Sequence, residues 1–167
     1  MLRTATPADA PAICAIYGHY IRHTIVTFDE EPVPPEVMAA RMAEPSPVPW
    51  LVLEEGGTII GYAYAAPWRT RSAYRHTVES TVYLAPDAIG DGRGTLLYGR
   101  LIDLLREQDV HAVMGVIALP NDASVALHEK LGFRRTGLLP EVGRKFGRWI
   151  DVGYWQLVLQ GPTPPPA

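Results

Sequence analysis

A glycine-rich segment is the part of the sequence best suited to binding an anion. Gly90, Gly92 and Gly94 alternate along the chain between a predicted strand and a predicted helix. Such a loop gathers backbone N–H groups at the positive end of the helix dipole, which is the arrangement that a pyrophosphate requires. Glycine-rich loops also occur as simple tight turns. The segment alone therefore indicates an anionic cofactor without identifying it.

A dinucleotide is one alternative for that cofactor. The spacing Gly90-x-Gly92-x-x-Thr95 approaches the G-x-G-x-x-G/A fingerprint, and Asp109 lies near the distance expected of a ribose-binding acid. The fit is poor, because the third position is threonine and too little chain follows to build the remaining parallel strands.

Two further groups of polar residues could bind ligands. Arg69 and Arg71 lie in a polar loop that also contains Tyr74, and guanidinium groups pair well with carboxylate or phosphinate. Loop arginines are, however, more often simply solvated. His19 and His23 are four residues apart on a predicted helix, but no third ligand accompanies them, so we predict no metal site.

Four helices are predicted. Thr6-Pro7-Ala8-Asp9 carries an N-cap, a proline and an acid at a helix start, and the apolar period continues to about Thr24. A short helix spans about Pro35 to Met42. The third helix follows the glycine segment and has the apolar stripe Leu97, Leu101, Leu104 and Leu105. The fourth runs from Ala123 to Leu131 and ends at a glycine.

The predicted strands alternate with these helices. Trp50–Glu54 and Thr58–Ala66 form a hairpin around two glycines, and Arg75–Leu84 and His111–Leu119 are long strands. Along the first of these long strands Glu79 shares a face with Tyr83. The last two strands are Arg135–Leu139 and Trp149–Leu159, joined by a mobile connection over Gly143–Arg148.

Composition limits the organisation and the partners of the chain. A length of 167 residues suits one domain, over residues 1–160, followed by a disordered proline-rich tail at 161–167. The net charge of -3 argues against nucleic acid as a partner. Cys14 is the single cysteine, which excludes an intrachain disulfide and favours the cytoplasm. No apolar run approaches the roughly 20 residues of a membrane helix.

The order of these segments resembles that of the GNAT superfamily of N-acetyltransferases. Gly90–Gly94 with its helix, then Asn121 and Ala126–Phe133, carry the resemblance. The phosphinothricin and methionine sulfoximine acetyltransferases are more similar still, and the resemblance covers residues 2–160. The matching segments are Ile16–Tyr20, Thr27–Phe28, Pro49–Val52, Gly61–Ala65, Val78–Tyr83, Leu119–Asp122 and Asp151–Leu157.

The resemblance implies an α/β fold, with a mixed, mostly antiparallel sheet flanked by helices, and acetyl-CoA as co-substrate between the strands that end near Leu84 and Leu119. The coenzyme-binding residues that it implies are Val82, Tyr83, Leu84, Gly90, Asp91, Gly92, Arg93, Gly94, Thr95, Asn121 and Ser124. The superfamily usually has Gln or Arg at the start of the loop and often a second basic residue. This chain has Ile89 and Asp91 there. Because backbone amides supply most of the binding, we expect function to survive, with Asp91 lowering the affinity for the coenzyme.

The resemblance also implies the catalytic and acceptor residues. Glu79 matches the family's general base, and His128 is the expected proton donor to the departing thiolate. The acceptor is a small amino-acid-like molecule, and its implied contacts are Phe28, Arg69, Arg71 and Tyr74. A homodimer is expected as well. Two alternatives stay open: an acetyltransferase for another amine, a peptide N-terminus or an aminoglycoside, and a non-catalytic acetyl-CoA-binding module.

Overall fold

The structure is a computed structural model that describes residues 1–159, so the predicted tail at 161–167 lies outside the described residues. Its helices and strands alternate along much of the chain. Short 3-10 turns precede α1, β4 and α3. The elements are β1 (Leu2–Thr4), α1 (Ala10–His23), α2 (Pro35–Met42), β2 (Leu51–Glu55), β3 (Thr58–Pro67), β4 (Thr77–Leu84), α3 (Arg93–Arg106), β5 (Ala112–Leu119), α4 (Asp122–Lys130), β6 (Arg134–Lys145) and β7 (Arg148–Val158).

The strands form one seven-stranded sheet in the order β1-β2-β3-β4-β5-β7-β6. Neighbouring strands pair antiparallel except at β4 and β5, which run parallel. This confirms the predicted mixed, mostly antiparallel sheet flanked by helices. The β4–β5 pairing covers Thr77–Glu79 against Ala112–Met114, whereas β4 stays paired with β3 as far as Leu84. The two parallel strands therefore separate beyond Glu79 and open a cleft in the middle of the sheet.

Helices cover both faces of the sheet. Leu97, Leu101 and Leu105 of α3 are fully buried in the larger apolar cluster, as their spacing predicts. On the other face, Ile13 and Ile16 of α1 pack in a second cluster. Burying each such side chain contributes roughly 1.5 to 3 kcal/mol. α1 and α3 thereby pack against opposite faces of the sheet in which the cleft opens.

The predicted mobile connection over Gly143–Arg148 is wrong. Gly143 pairs with Ile150, and the ladder continues to Lys145 opposite Arg148. The turn itself consists of Phe146 and Gly147, whose φ angles of 51° and 76° are in the left-handed region. Pairing between β6 and β7 thus extends both strands into Gly143–Arg148, whose glycines and charged residues suggested a loop. The short strand β1, which pairs with β2 at the edge of the sheet, was not predicted.

Candidate active site

A cavity of about 640 Å³ occupies the cleft between β4 and β5. This volume is typical of a small-molecule site. The cavity runs from the loop after α1, past the end of β4, to the glycine loop and the first turns of α4. The predicted site residues that line it are Phe28, Glu79, Val82, Tyr83, Leu84, Gly90, Asp91, Gly92, Gly94, Thr95, Asn121, Ser124 and His128.

The glycine loop forms one end of the cavity. Gly90, Asp91 and Gly92 have φ angles of 113°, 51° and 74°, so three successive residues adopt left-handed conformations. This conformation, which glycine adopts at little cost, turns the chain sharply into α3. The first-turn N–H groups of a helix lack intrahelical acceptors. The loop therefore offers N–H donors and a positive dipole end to an anion.

The charged side chains of this loop are paired with one another. Arg93 contacts Asp91 at 2.9 Å, and its Nε and Nη2 atoms donate to the two carboxylate oxygens of Glu55 at 3.0 and 3.1 Å. Arg93 lies outside the set of residues that line the cavity. The Asp91 carboxylate is therefore partly neutralised, which reduces the repulsion expected toward a pyrophosphate.

At the start of α4, Asn121 caps the helix. Its Oδ1 atom accepts a hydrogen bond from the backbone N–H of Ser124 at 3.1 Å, as expected of an asparagine in this position. The cap fixes the direction in which α4 leaves β5. It thereby brings Ser124 and His128, which are one turn apart, to the wall of the cavity.

The freed edge of β4 forms the floor of the cleft. Beyond Glu79, the backbone groups that point away from β3 have no partner on β5. These groups are available to bind the amides of an extended ligand. The Leu84 carbonyl accepts a hydrogen bond from the Tyr20 hydroxyl at 2.7 Å. Tyr20 was not among the predicted site residues, because it belongs to the apolar stripe of α1. The one signal in the sequence was the polar hydroxyl group that it carries on that stripe.

Glu79 lies half-buried on the wall of the cavity. Burial raises the pKa of its carboxyl above the ordinary value, and the positive charge of Arg69 opposes the rise. A raised pKa makes a carboxylate a better proton acceptor near neutral pH. Arg69 itself lies over the Trp68 ring, with its guanidinium carbon 4.4 Å from the ring centroid.

His128 is buried and hydrogen-bonded at both ring nitrogens. Nδ1 lies 2.7 Å from the Ser124 carbonyl, and Nε2 lies 3.1 Å from the Tyr98 hydroxyl. Since a carbonyl only accepts, Nδ1 carries the proton, and Nε2 of the neutral ring accepts from Tyr98. Tyr98 in turn contacts the Ser80 hydroxyl at 2.7 Å. Burial lowers the pKa of His128, which favours the neutral ring.

This hydrogen-bonded chain was not predicted. Tyr98 lies on the same apolar face of α3 as the buried leucines, and Ser80 lies on the opposite face of β4 from Glu79. Gly115 of β5 completes the surroundings of His128, because a Cβ atom at that position would lie 2.5 Å from the imidazole Cδ2. The imidazole thus packs directly on the backbone of the sheet.

The predicted acceptor residues fall into two groups. Phe28 lines the cavity at the end away from the glycine loop. Arg69, Arg71 and Tyr74 lie outside its lining, in and beside the 3-10 turn Ser72–Tyr74. The charge of Arg69 is nevertheless close enough to influence Glu79. The structure therefore brings Phe28 to the cavity and places the other three outside its lining.

The rings of His19 and His23 are 5.0 Å apart, but within residues 1–159 no group of three or more His, Cys, Asp or Glu residues is arranged to hold a metal ion. In the same part of the chain, no helix combines the length and the apolar character needed to cross a bilayer.

Comparison with known proteins identifies the family. Residues 2–153 match the acetyltransferase (GNAT) domain. The chain is 44% identical to a phosphinothricin N-acetyltransferase of Streptomyces viridochromogenes, over 98% of this chain and 90% of that protein. It is 39% identical to an L-methionine sulfoximine/L-methionine sulfone acetyltransferase of Salmonella typhimurium, over 99% and 98%.

A solved structure shows the same fold. The phosphinothricin acetyltransferase of Sinorhizobium meliloti, in complex with acetyl-CoA, superimposes with a TM-score of 0.89 at 35% identity, over 99% of this chain and 94% of that one. The glycine loop and the free edge of β4 suit the pyrophosphate and the amide-containing arm of this coenzyme. The chain belongs to the GNAT family, and it is an N-acetyltransferase that uses acetyl-CoA.

Proposed function

We propose that this enzyme acetylates the amino group of small amino-acid-like acceptors of the phosphinothricin, methionine sulfoximine and methionine sulfone class. The observation that carries the proposal is the half-buried Glu79 carboxylate in the same cavity as an anion-binding glycine loop. The acceptors named for the two curated relatives supply the substrate class. When bound, acetyl-CoA provides the activated acetyl thioester.

The coenzyme is held by backbone groups. We assign its pyrophosphate to the loop from Gly90 to Thr95, and its pantetheine amides to the edge of β4 over Val82–Leu84. Asn121 and Ser124 complete this binding surface at the start of α4. Backbone groups near Leu84 also stabilise the negative charge that develops on the acetyl oxygen, which is usually the largest contribution in acyl transfer.

Glu79 is the proposed general base. At neutral pH an amino-acid acceptor carries an ammonium group, which must lose a proton before its nitrogen can attack the acetyl carbon. The raised pKa of the Glu79 carboxyl suits it to accept that proton, directly or through a water molecule. Its position on the wall of the cavity supports this role.

His128 is the proposed source of the proton for the departing thiolate. In its neutral state the single N–H of the ring is committed to the Ser124 carbonyl. To act as an acid, the ring must therefore first gain a proton at Nε2, where Tyr98 now donates. Burial disfavours the charged ring at rest. We propose that during turnover the ring receives this proton from the acceptor nitrogen, which loses two protons as it becomes an amide, and passes it to the thiolate.

Acceptor recognition combines an apolar wall with positive charge. Phe28 is the proposed wall for the aliphatic part of the acceptor. Arg69 and Arg71, with Tyr74, are proposed to pair with its carboxylate or its phosphinate, sulfone or sulfoximine oxygens, because guanidinium groups bind such oxygens in fixed geometry. The effect of the Arg69 charge on Glu79 supports contact between this loop and a bound acceptor.

We also propose that the enzyme is a homodimer in the cytoplasm. β6 lies at an edge of the sheet, where unpaired strands tend to associate. Six apolar side chains of the β6–β7 hairpin are at least 40% exposed: Leu138, Leu139, Val142, Phe146, Trp149 and Val158. A second copy of the chain would cover this surface. The single cysteine, Cys14, supports a reducing compartment.

The experiment that tests the proposed function is thiol release from acetyl-CoA across an acceptor panel. The panel contains phosphinothricin, methionine sulfoximine, methionine sulfone, common amino acids, simple amines, a peptide and an aminoglycoside. Selective turnover of the first three supports the proposal. Preference for the peptide or the aminoglycoside would replace the acceptor class, and tight acetyl-CoA binding without turnover of any amine would favour a non-catalytic module.

A further inference from the structure

A buried lysine at the tip of the β6–β7 hairpin is not used by the mechanism above. Lys145 is 3% exposed, and its ammonium group donates to the Thr27 carbonyl at 2.7 Å. Burying an ammonium group is costly unless hydrogen bonds or opposite charges compensate. Burial lowers the pKa of Lys145, while the carboxylates of Glu30 and Asp29 oppose this shift. The contact therefore joins the hairpin to the loop after α1.

A second contact joins the same two segments. The Phe28 ring lies directly on Gly143, and a Cβ atom at position 143 would overlap two of the ring carbons. Gly143 and Lys145 are two residues apart on β6 and therefore lie on the same face of the strand. One face of the hairpin thus holds both the Thr27 carbonyl and the Phe28 ring.

The loop is also held from α1. The Tyr17 hydroxyl lies 2.6 Å from the Thr27 hydroxyl and 2.8 Å from a carboxylate oxygen of Asp29. The segment Val26–Phe28 is consequently fixed between α1 on one side and β6 on the other. All three of its residues line the cavity at the end away from the glycine loop. Its position therefore sets the shape of that end.

We propose that Lys145 is a positioning residue for acceptor binding: by holding the Thr27 carbonyl, it keeps Phe28 packed on Gly143 as the wall of the acceptor pocket. This inference rests on the proposed function, because it takes the acceptor to bind against Phe28. It extends the site to the β6–β7 hairpin, which lies far along the chain from the loop that it holds. It also gives a reason for a buried ammonium group at a place where an apolar residue would be less costly.

Two variants test the proposal by different routes. Lys145→Met keeps the length of the side chain and removes the donor, so the loop loses its hydrogen bond to β6. Gly143→Ala leaves Lys145 in place and pushes the Phe28 ring off the strand. Each is expected to raise the KM for the best acceptor about tenfold, a loss of about 1.4 kcal/mol of binding, with the KM for acetyl-CoA unchanged.

Matched controls come from the same strand. Arg134→Met removes an exposed positive charge from the start of β6. Gly137→Ala adds a methyl group where a Cβ atom would meet its nearest neighbour, Tyr154, at an ordinary 4.0 Å. Both controls are expected to keep both KM values. If Lys145→Met lowers kcat and raises both KM values alike, the residue supports the fold in general and the proposal is overturned.

A readout without turnover separates this inference from the proposed function. The readout is hydrogen–deuterium exchange at the amides of Val26 and Asp29, which donate to the Thr24 and Thr27 hydroxyls. We expect these two amides to exchange faster in Lys145→Met than in the wild-type enzyme. In Arg134→Met they should exchange at the wild-type rate. Unchanged exchange overturns the proposed attachment. Faster exchange with an unchanged acceptor KM overturns the link to the acceptor. If the wild-type enzyme acetylates none of the acceptors, the proposed function fails, and exchange alone decides whether Lys145 holds the loop.

Discussion

Replacing Glu79 with glutamine tests the proposed base with little change in shape. The variant keeps the size and the hydrogen-bonding ability of the side chain but cannot accept a proton. General base catalysis typically contributes about 10²- to 10⁴-fold. Burial raises the pKa of the Glu79 carboxyl only in part, since Arg69 opposes the shift. We therefore expect the lower end, about 10²-fold in kcat, or about 2.7 kcal/mol of activation free energy.

The pH dependence gives this prediction a second readout. The base must be ionised, so kcat/KM of the wild-type enzyme is expected to fall as the pH drops through the raised pKa of Glu79. This acid limb should be absent from Glu79→Gln. The deficit of the variant should also shrink at high pH, where more of the acceptor is already a free amine.

The assay is thiol release at saturating acetyl-CoA between about pH 5.5 and 9.5, the interval over which a raised carboxyl pKa and an amine pKa are expected to act. Calorimetry of acetyl-CoA binding is expected to give the wild-type Kd for the variant. Glu44→Gln, at an exposed position, serves as the control and should behave as wild type. A kcat within about twofold of wild type at pH 7 would remove Glu79 from the mechanism, because so small a change is far below the contribution of a base.

Three further predictions concern the surroundings of the site. His128 is expected to be neutral and protonated at Nδ1 at pH 7, because burial lowers its pKa. Long-range ¹H–¹⁵N spectra, with signals assigned by comparison with His128→Asn, report this state directly. A doubly protonated ring would contradict the prediction. Leu101→Ala, at a fully buried position of α3, should reduce the free energy of unfolding by about 2 to 5 kcal/mol in urea, and a loss below about 1 kcal/mol would mean that α3 is not packed as described. Replacing both Phe146 and Trp149 with serine should halve the molar mass in light scattering, whereas an unchanged dimer would exclude this surface as the interface.

Local sequence signals account for the parts of the fold that were predicted. Glycines with positive φ form the turn between β2 and β3 and the loop before α3. The helices were predicted from the spacing of their apolar residues. The error at Gly143–Arg148 has a tertiary cause. Strand pairing with β7 overrides the loop-like composition of the segment, and strand propensity depends strongly on such context.

The parts of the site that were missed depend on contacts between distant segments. Ser80, Tyr98 and His128 come from a strand and two helices, and their hydrogen bonds exist only once these elements pack together. Lys145 and Thr27 are 118 residues apart along the chain. The spacing of residues along the sequence does not predict that such distant residues are in contact. The sequence could identify His128 by family resemblance, but not the tautomer that its neighbours impose.

In the proposed reaction, the enzyme acetylates an amino acid at its amino group. The most direct measurement compares methionine sulfone with 3-(methylsulfonyl)propylamine, which has the same chain without the carboxylate, and identifies the products by mass spectrometry. We predict N-acetylated methionine sulfone and a kcat/KM at least about tenfold above that of the amine, since a paired carboxylate contributes on the order of 1.5 to 3 kcal/mol. Equal kcat/KM values for the two compounds would exclude recognition of the carboxylate, and an absence of N-acetylated product would exclude the proposed reaction.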